Sequence, residues 1–358
     1  MNHISSPPHA LNLFESMKKD YKLCEENYLK DFKSHHWDVF PENYENILNN
    51  EDLWKSFLRN QISLGFNDSL MEVSNKRFEN NNDAYWQELK KNDTNLVDKT
   101  IVSQEKIDNT LSIVNFLLRN NDPSFLLKNL MPDVGDPETT SLEIRNPDNS
   151  NIYFSANYHD IIEIYYFLHL QDVLMEMKNI KKPIIAEIGA GYGGIATKIK
   201  KNLNDCKYII FDLPEVNAVQ NYYLSNVFPE KKIIGYNEYK MSKNILKDNF
   251  DFLLLPGWEI KNFKRNSIDT IINMRSMMEM NHDVIKFYFK SIHRIIKHNG
   301  IFFNANRYKK RDIKLEDYPY DKKWKIVKSQ QSEVQTNIHI LTTKRTNKEE
   351  NFKVQEYL

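Results

Sequence analysis

The spacing of apolar residues changes about two fifths of the way along the chain. Before residue 140 they recur at helical intervals: Leu11, Phe14, Met17, Tyr21 and Tyr28 make one stripe, and Leu53, Phe57 and Leu64 another. The same period predicts helices at Ala84–Lys90, Gln104–Arg119 and Ser124–Leu130. The Pro- and Gly-containing segment Met131–Pro137 reads as a linker. A hairpin of Ser141–Arg145 with Ile152–Ser155, turning through residues 146–149, should follow, and then a helix over Asn157–Lys178.

Beyond Lys181-Lys182-Pro183 short apolar runs alternate with helical stretches, the pattern of a parallel sheet with crossover helices. Strands are expected at Ile184–Ile188, Lys207–Phe211, Phe252–Leu255, Thr270–Asn273 and Gly300–Asn304. The intervening helices should cover Gly194–Leu203, Val216–Asn226 and Asp283–Lys297. Trp324–Lys328 and Ile338–Thr343 have no helical pattern between them, so they should pair as an antiparallel hairpin. The fold class is therefore α/β: a Rossmann-like sheet with a C-terminal antiparallel hairpin. The expected organisation is a mostly helical N-terminal domain (1–155), the sheet domain (156–345) and a charged tail (346–358) that frays.

Bulk properties exclude several functions. Among 358 residues Lys+Arg and Asp+Glu both number 49, so there is no basic excess of the kind a nucleic-acid-binding chain shows. The two cysteines, Cys24 and Cys206, are too few and too far apart for a disulfide framework or a structural zinc site. The first twenty residues lack the apolar core of a signal peptide, and the longest apolar runs are far shorter than a membrane span. The chain reads as soluble and cytoplasmic, with no membrane or nucleic-acid partner.

Glycine sharpens the picture. The chain has only 9, and four of them fall in Gly189-Ala190-Gly191-Tyr192-Gly193-Gly194, between a strand and a helix. Such a turn lets a ligand approach the backbone. It satisfies both G-x-G-x-x-G and G-x-G-x-G, so NAD and S-adenosylmethionine compete. Glu187, two positions before Gly189, would repel a pyrophosphate and welcome the ammonium and sulfonium of S-adenosylmethionine. Asp212, followed by Leu213, ends the second strand, where an acid accepts both ribose hydroxyls. Gly257 and Trp258 end the third strand, where a bare backbone and an apolar wall would flank the adenine. Asn273, ending the fourth, completes the cofactor set. Together these residues, with the final hairpin, put S-adenosylmethionine ahead of NAD, with S-adenosylhomocysteine as product.

The segments Ala186–Gly194, Phe211-Asp-Leu-Pro-Glu215, Asn273-Met-Arg-Ser-Met-Met-Glu-Met280 and Asn304-Ala-Asn-Arg-Tyr308 resemble those of bacterial sugar O-methyltransferases of the class I, S-adenosylmethionine-dependent kind. These proteins are often encoded with surface-polysaccharide genes. The resemblance spans Tyr158 to Tyr308 and does not reach the N-terminal 150 residues. It implies methyl transfer to a sugar hydroxyl, with a nucleotide-linked sugar for a capsule or other surface polysaccharide as acceptor.

A sugar alcohol is a poor nucleophile, so a base or a metal should help to remove its proton. His282 is the natural base and Glu279 orients it or acts itself. Arg275 and Arg307 lie where they would meet phosphates of a nucleotide-sugar. Tyr158 and His159 would close the pocket. No Asp/His cluster declares a metal, although Glu279 and Asp283 leave a divalent ion open. Two other readings stay open: an acceptor that is a small natural product or lipid-linked glycan, and a non-catalytic subunit of the same fold. The N-terminal region reads equally as a lid, a sugar-recognition domain or a surface for homo-oligomers.

Overall fold

Runs such as Phe252–Leu255, apolar on both faces, need cover on both sides, and they form the centre of an eight-stranded sheet. A computed structural model of the chain describes residues 8–27, 32–34, 37, 44–59, 104–120, 122–137, 139–145, 151–350 and 352–358. Its helices are α1 (Pro8–Glu26), α2 (Tyr44–Leu48), α3 (Glu51–Lys55), α4 (Gln104–Asn120), α5 (Pro123–Asn129), α6 (Tyr158–His169), α7 (Gln171–Lys178), α8 (Gly194–Asn202), α9 (Pro214–Val227), α10 (Tyr236–Met241) and α11 (His282–Ile295). Its strands are β1 (Thr140–Arg145), β2 (Asn151–Ala156), β3 (Ile184–Ile188), β4 (Lys207–Asp212), β5 (Ile233–Ile234), β6 (Phe252–Pro256), β7 (Ile268–Met274), β8 (Ile296–Arg307), β9 (Lys309–Lys310), β10 (Ile313–Lys314), β11 (Trp324–Gln331) and β12 (Ile338–Arg345).

The large sheet has the order β11-β12-β8-β7-β3-β4-β6-β5. Strands β3 to β8 are parallel, whereas β12 runs antiparallel to both β8 and β11. The six residues between β11 and β12 are too few for a crossover, so that pair has to be antiparallel. This is the Rossmann-like sheet with an antiparallel C-terminal hairpin that the apolar pattern implies. The order turns back at β3, with β4 on one side and β7 on the other. Ligands of open α/β sheets bind in the crevice at the carboxyl ends beside such a reversal. One sheet face carries Ala186, Ile188, Ile209, Phe211, Leu253 and Leu255, and it shares a buried core with Ile285, Phe289 and Ile292 of α11.

The chain divides into two compact units, one of Met1–Glu51, Met177–Gly193 and Asp205–Leu358, the other of Asp52–Glu176 and Gly194–Asn204. These limits differ from the expected boundary at residue 155. In the first unit α1 packs with α9 and α10: Phe14 meets Tyr222 at 5.9 Å between ring centroids, and Asp20 accepts the Asn237 N–H. In the second, α6 packs with α4 and α8. Phe116 and Tyr165 meet edge-on, and buried Lys198 holds Asp160 and Glu163 at 2.7 and 2.9 Å. Helical propensity alone does not say which amphipathic helix finds which partner.

Other departures are local. The single helix expected over 157–178 is interrupted at Leu170. Strand β8 begins directly at the end of α11, and β5, α10 and the β9–β10 hairpin have elements too short for their apolar period to register. The tail is anchored instead of frayed: Phe352 and Val354 are buried, Phe352 packs on Tyr320, and Gln355 donates to the Glu316 carbonyl. Tyr28, Leu64, the helix expected at Ala84–Lys90 and the turn at 146–149 lie outside the described residues.

Candidate functional site

The glycine turn follows β3, at the reversal of strand order. Gly189, Gly191 and Gly193 have φ of +70°, +57° and +104°, the left-handed region that glycine enters without strain. A Cβ on Gly189 would lie 2.2 Å from Ser276 Oγ, so the turn and the loop after β7 touch with no room between them.

Asp212, at the end of β4, ties this turn down. Its Oδ2 accepts the Ala190 N–H at 2.9 Å and the Gln220 side-chain amide at 2.8 Å, and Oδ1 accepts the Leu213 N–H at 2.8 Å. The same Gln220 amide also donates to the Gly191 carbonyl. Burial pushes the Asp212 carboxyl up to about 7 against the three donors that lower it. A carboxylate has about four acceptor positions. Three are used, which leaves room for one hydroxyl rather than the two expected. Nothing in the sequence singles out Gln220, since a lone Gln on a helix carries no pattern.

Glu187 is buried and accepts the Tyr208 hydroxyl at 2.7 Å, so its carboxylate has a protein partner of its own. Leu213 precedes α9, with Pro214 as the first helical residue. Gly257 and Trp258 begin a short 3-10 helix after β6, and Trp258 is buried. Asn273 is fully buried and committed to the protein. Its amide donates to the Ile188 carbonyl, and its Oδ1 accepts from Asn306 at 2.7 Å and from the Met277 N–H at 3.3 Å. With buried Asn304 and Asn306 it forms an amide ladder that fastens the loop after β7.

That loop carries the acceptor-side candidates. Glu279 and His282 do not contact each other through their carboxylate and ring. Glu279 pairs with Lys310 at 2.6 Å, both largely buried, whereas the half-exposed His282 lies 3.5 Å from Asp312. Glu279 therefore does not orient His282, contrary to the expectation. Both line one cavity of about 200 Å³, with Lys310, Arg311, Asp312 and Ser34. Met280 lines it too, and its methyl lies 3.9 Å from the Cβ position of Gly189, so the cavity adjoins the glycine turn. Burial first, and then Arg307 and Arg311, pull the Lys310 ammonium down, against the carboxylate of Glu279. Lys310 and Asp312 come from the unpredicted β9–β10 hairpin and Ser34 from the N-terminal arm, which is why no local motif revealed them.

Arg275 has φ +63° and donates its N–H to the Ala305 carbonyl. A left-handed arginine costs about 1–2 kcal/mol, and such strain gathers at functional sites. The Nε atoms of Arg275 and Arg307 are buried with no hydrogen-bond partner among the described residues. Tyr158 and His159 open α6, their rings 5.9 Å apart and Asn157 capping the helix. They belong to the other compact unit, not to the one that carries this site. Among the described residues no group of three or more His, Cys, Asp or Glu side chains is arranged to hold a metal, and no helix is long and apolar enough to cross a membrane.

No family model matches the sequence, and no curated protein does. Among solved structures, the chain is similar to the magnesium protoporphyrin IX methyltransferase of Synechocystis PCC 6803, with bound S-adenosylmethionine, at 8% identity and a TM-score of 0.38, over 52% of this chain and 81% of that one. It is similar to a protein of echinomycin biosynthesis, described for conversion of a disulfide bond into a thioacetal group, at 11% identity and a TM-score of 0.35, over 51% and 90% of the two chains. A point mutant of MtNAS aligns over 96% of this chain and 100% of its own, at 10% identity and a TM-score of 0.36.

Proposed function

We propose that the chain transfers the methyl group of S-adenosylmethionine to a hydroxyl of a sugar, with a nucleotide-linked sugar for surface polysaccharide as the acceptor class. The observation that carries this reading is the adjacency of two sites: a glycine turn braced by Asp212, and beside it a cavity lined by Glu279, His282 and Lys310. The residues fit the cofactor. Three glycines at positive φ leave the backbone bare, Asp212 keeps one acceptor position for a ribose hydroxyl, and Glu187 adds negative charge at the end of β3. When bound, the cofactor supplies an electrophilic methyl group on sulfur.

The protein's task is then positioning, with the acceptor oxygen held about 3–3.5 Å from that methyl and water excluded. His282, half-exposed at the cavity wall, is the group that takes the hydroxyl proton, and Asp312 beside it stabilises the imidazolium that forms. Glu279 is the alternative base, held by Lys310. Arg275 and Arg307 have buried Nε–H groups available to donate to an anionic partner, which suits the phosphates of a nucleotide-sugar.

Titration calorimetry with S-adenosylmethionine, S-adenosylhomocysteine and NADH tests the cofactor. Binding of the first two is expected, and binding of NADH alone would overturn the reading. Transfer of labelled methyl to a panel of nucleotide-sugars tests the acceptor. Labelling only of lipid-linked glycans or small aromatic alcohols would keep the chemistry and replace the substrate.

A further inference from the structure

We propose that Phe32, set edge-to-face against Trp258, presents its open ring face to the adenine of the cofactor, making this N-terminal residue part of the cofactor site. This rests on the methyl-transfer reading above and extends it to a residue without any motif of its own.

Phe32, Lys33 and Ser34 lie along the carboxyl ends of the sheet. Lys33 Nζ lies 3.6 Å from Glu215, just after β4. Phe32 packs after β6, with its ring centroid 5.9 Å from that of Trp258 and nearly perpendicular to it. Ser34 Oγ donates to the Glu279 carbonyl, after β7, at 2.5 Å. Three successive residues thus touch the segments that follow three of the sheet's strands, which are the segments a bound nucleoside would lie among. A Cβ on Gly257 would sit 2.5 Å from Phe32 Cε1 and 2.2 Å from the Tyr288 hydroxyl. The glycine there makes room for the Phe32 ring against the backbone. Phe287 and Tyr288 hold the ring edge-on from α11, both at 5.4 Å. Trp258 and Tyr288 are buried, but Phe32 is only partly so. An aromatic ring held by perpendicular neighbours and still partly open offers a surface on which a purine can stack.

Stacking of a base on an aromatic ring is worth enough that removing the ring weakens binding about 5- to 150-fold. The test is calorimetry on the full chain with S-adenosylhomocysteine and with 5′-methylthioadenosine, which lacks the amino-acid end. Phe32→Ala and Phe32→Leu should weaken both ligands by a similar factor, and Phe32→Trp should restore them. The leucine variant keeps apolar packing, so a loss in it separates stacking from folding. Wild-type affinity in Phe32→Leu would overturn the proposal, as would tighter binding in Phe32→Ala, which would mean that the ring occupies the adenine's place itself. Failure of the wild-type chain to bind either ligand overturns the cofactor reading and this proposal together. Loss in Phe32→Ala and Phe32→Leu with binding kept in Phe32→Trp is the result expected of stacking.

Discussion

The two halves of the proposed site are built in opposite ways. On the cofactor side the working surface is backbone: glycines at positive φ, with Asp212 and Gln220 bonded to Ala190 and Gly191. On the acceptor side it is side chains: Glu279 against Lys310, His282 beside Asp312, and Ser34 on the Glu279 carbonyl. Residues 189–193 are local in sequence, whereas Ser34 and Glu279 are 245 positions apart. A surface made of backbone has to be encoded by what the chain omits, and that omission is visible in the sequence. A surface made of converging side chains is encoded by the fold.

Four changes sharpen or break this contrast, and the largest effect is expected at the acceptor side. His282→Ala should lower turnover about 10²- to 10⁴-fold, the usual contribution of a positioned base, while leaving S-adenosylhomocysteine affinity within about twofold. Retained turnover would move the role to Glu279. Lys310→Met should destabilise the fold by about 3 kcal/mol, because it strands a mostly buried carboxylate. Urea unfolding measures this, and the double variant with Glu279→Gln should recover most of the loss. A single variant as stable as the wild type would mean that the pair is solvated and does not shape the cavity.

The next two changes probe the cofactor side. Gly189→Ala forces a Cβ to within 2.2 Å of Ser276 Oγ at φ +70°. It should cost about 1–3 kcal/mol and abolish measurable S-adenosylhomocysteine binding in calorimetry. Binding at wild-type strength would show that the bare backbone is not the cradle.

The smallest effect is one of pH. Burial raises the Asp212 carboxyl to about 7, so between about pH 4 and pH 7 the folded chain keeps a proton that the unfolded chain has lost. The contribution of this group to stability therefore falls as pH rises through that window. The ionised carboxylate is also the better acceptor for a ribose hydroxyl, so S-adenosylhomocysteine affinity should rise a few-fold from about pH 6 to pH 8. Asp212→Asn should flatten both trends. Asp20 is raised to a similar value, chiefly by burial, and accepts the Asn237 N–H. It will keep part of the stability slope but none of the affinity slope. An affinity slope that survives in Asp212→Asn would assign it to another group.

The N-terminal region shows the same division on a larger scale. Its helices α1, α4 and α5 are legible from apolar spacing, within a residue or two of their observed limits where their ends were predicted. What they belong to is not. Residues 1–51 join the sheet unit and residues 52–176 form the core of the other, because complementary apolar faces are matched by packing and not by order in the chain.

The sequence by itself determined the periods: which of the longer segments are strands and which helices, the antiparallel hairpin at the end, and the glycine turn with Asp212 opposite it. Each follows from a local rule about apolar spacing, crossover length or backbone freedom, and local rules are readable in order. Only the tertiary structure decided that Lys310 rather than His282 partners Glu279, that Asn273 is bound up in an amide ladder, that the tail is anchored, and that Phe32 lies on Gly257. Those pairings join residues separated by tens to hundreds of positions. Their energies depend on burial and distance, which exist only once the chain has folded.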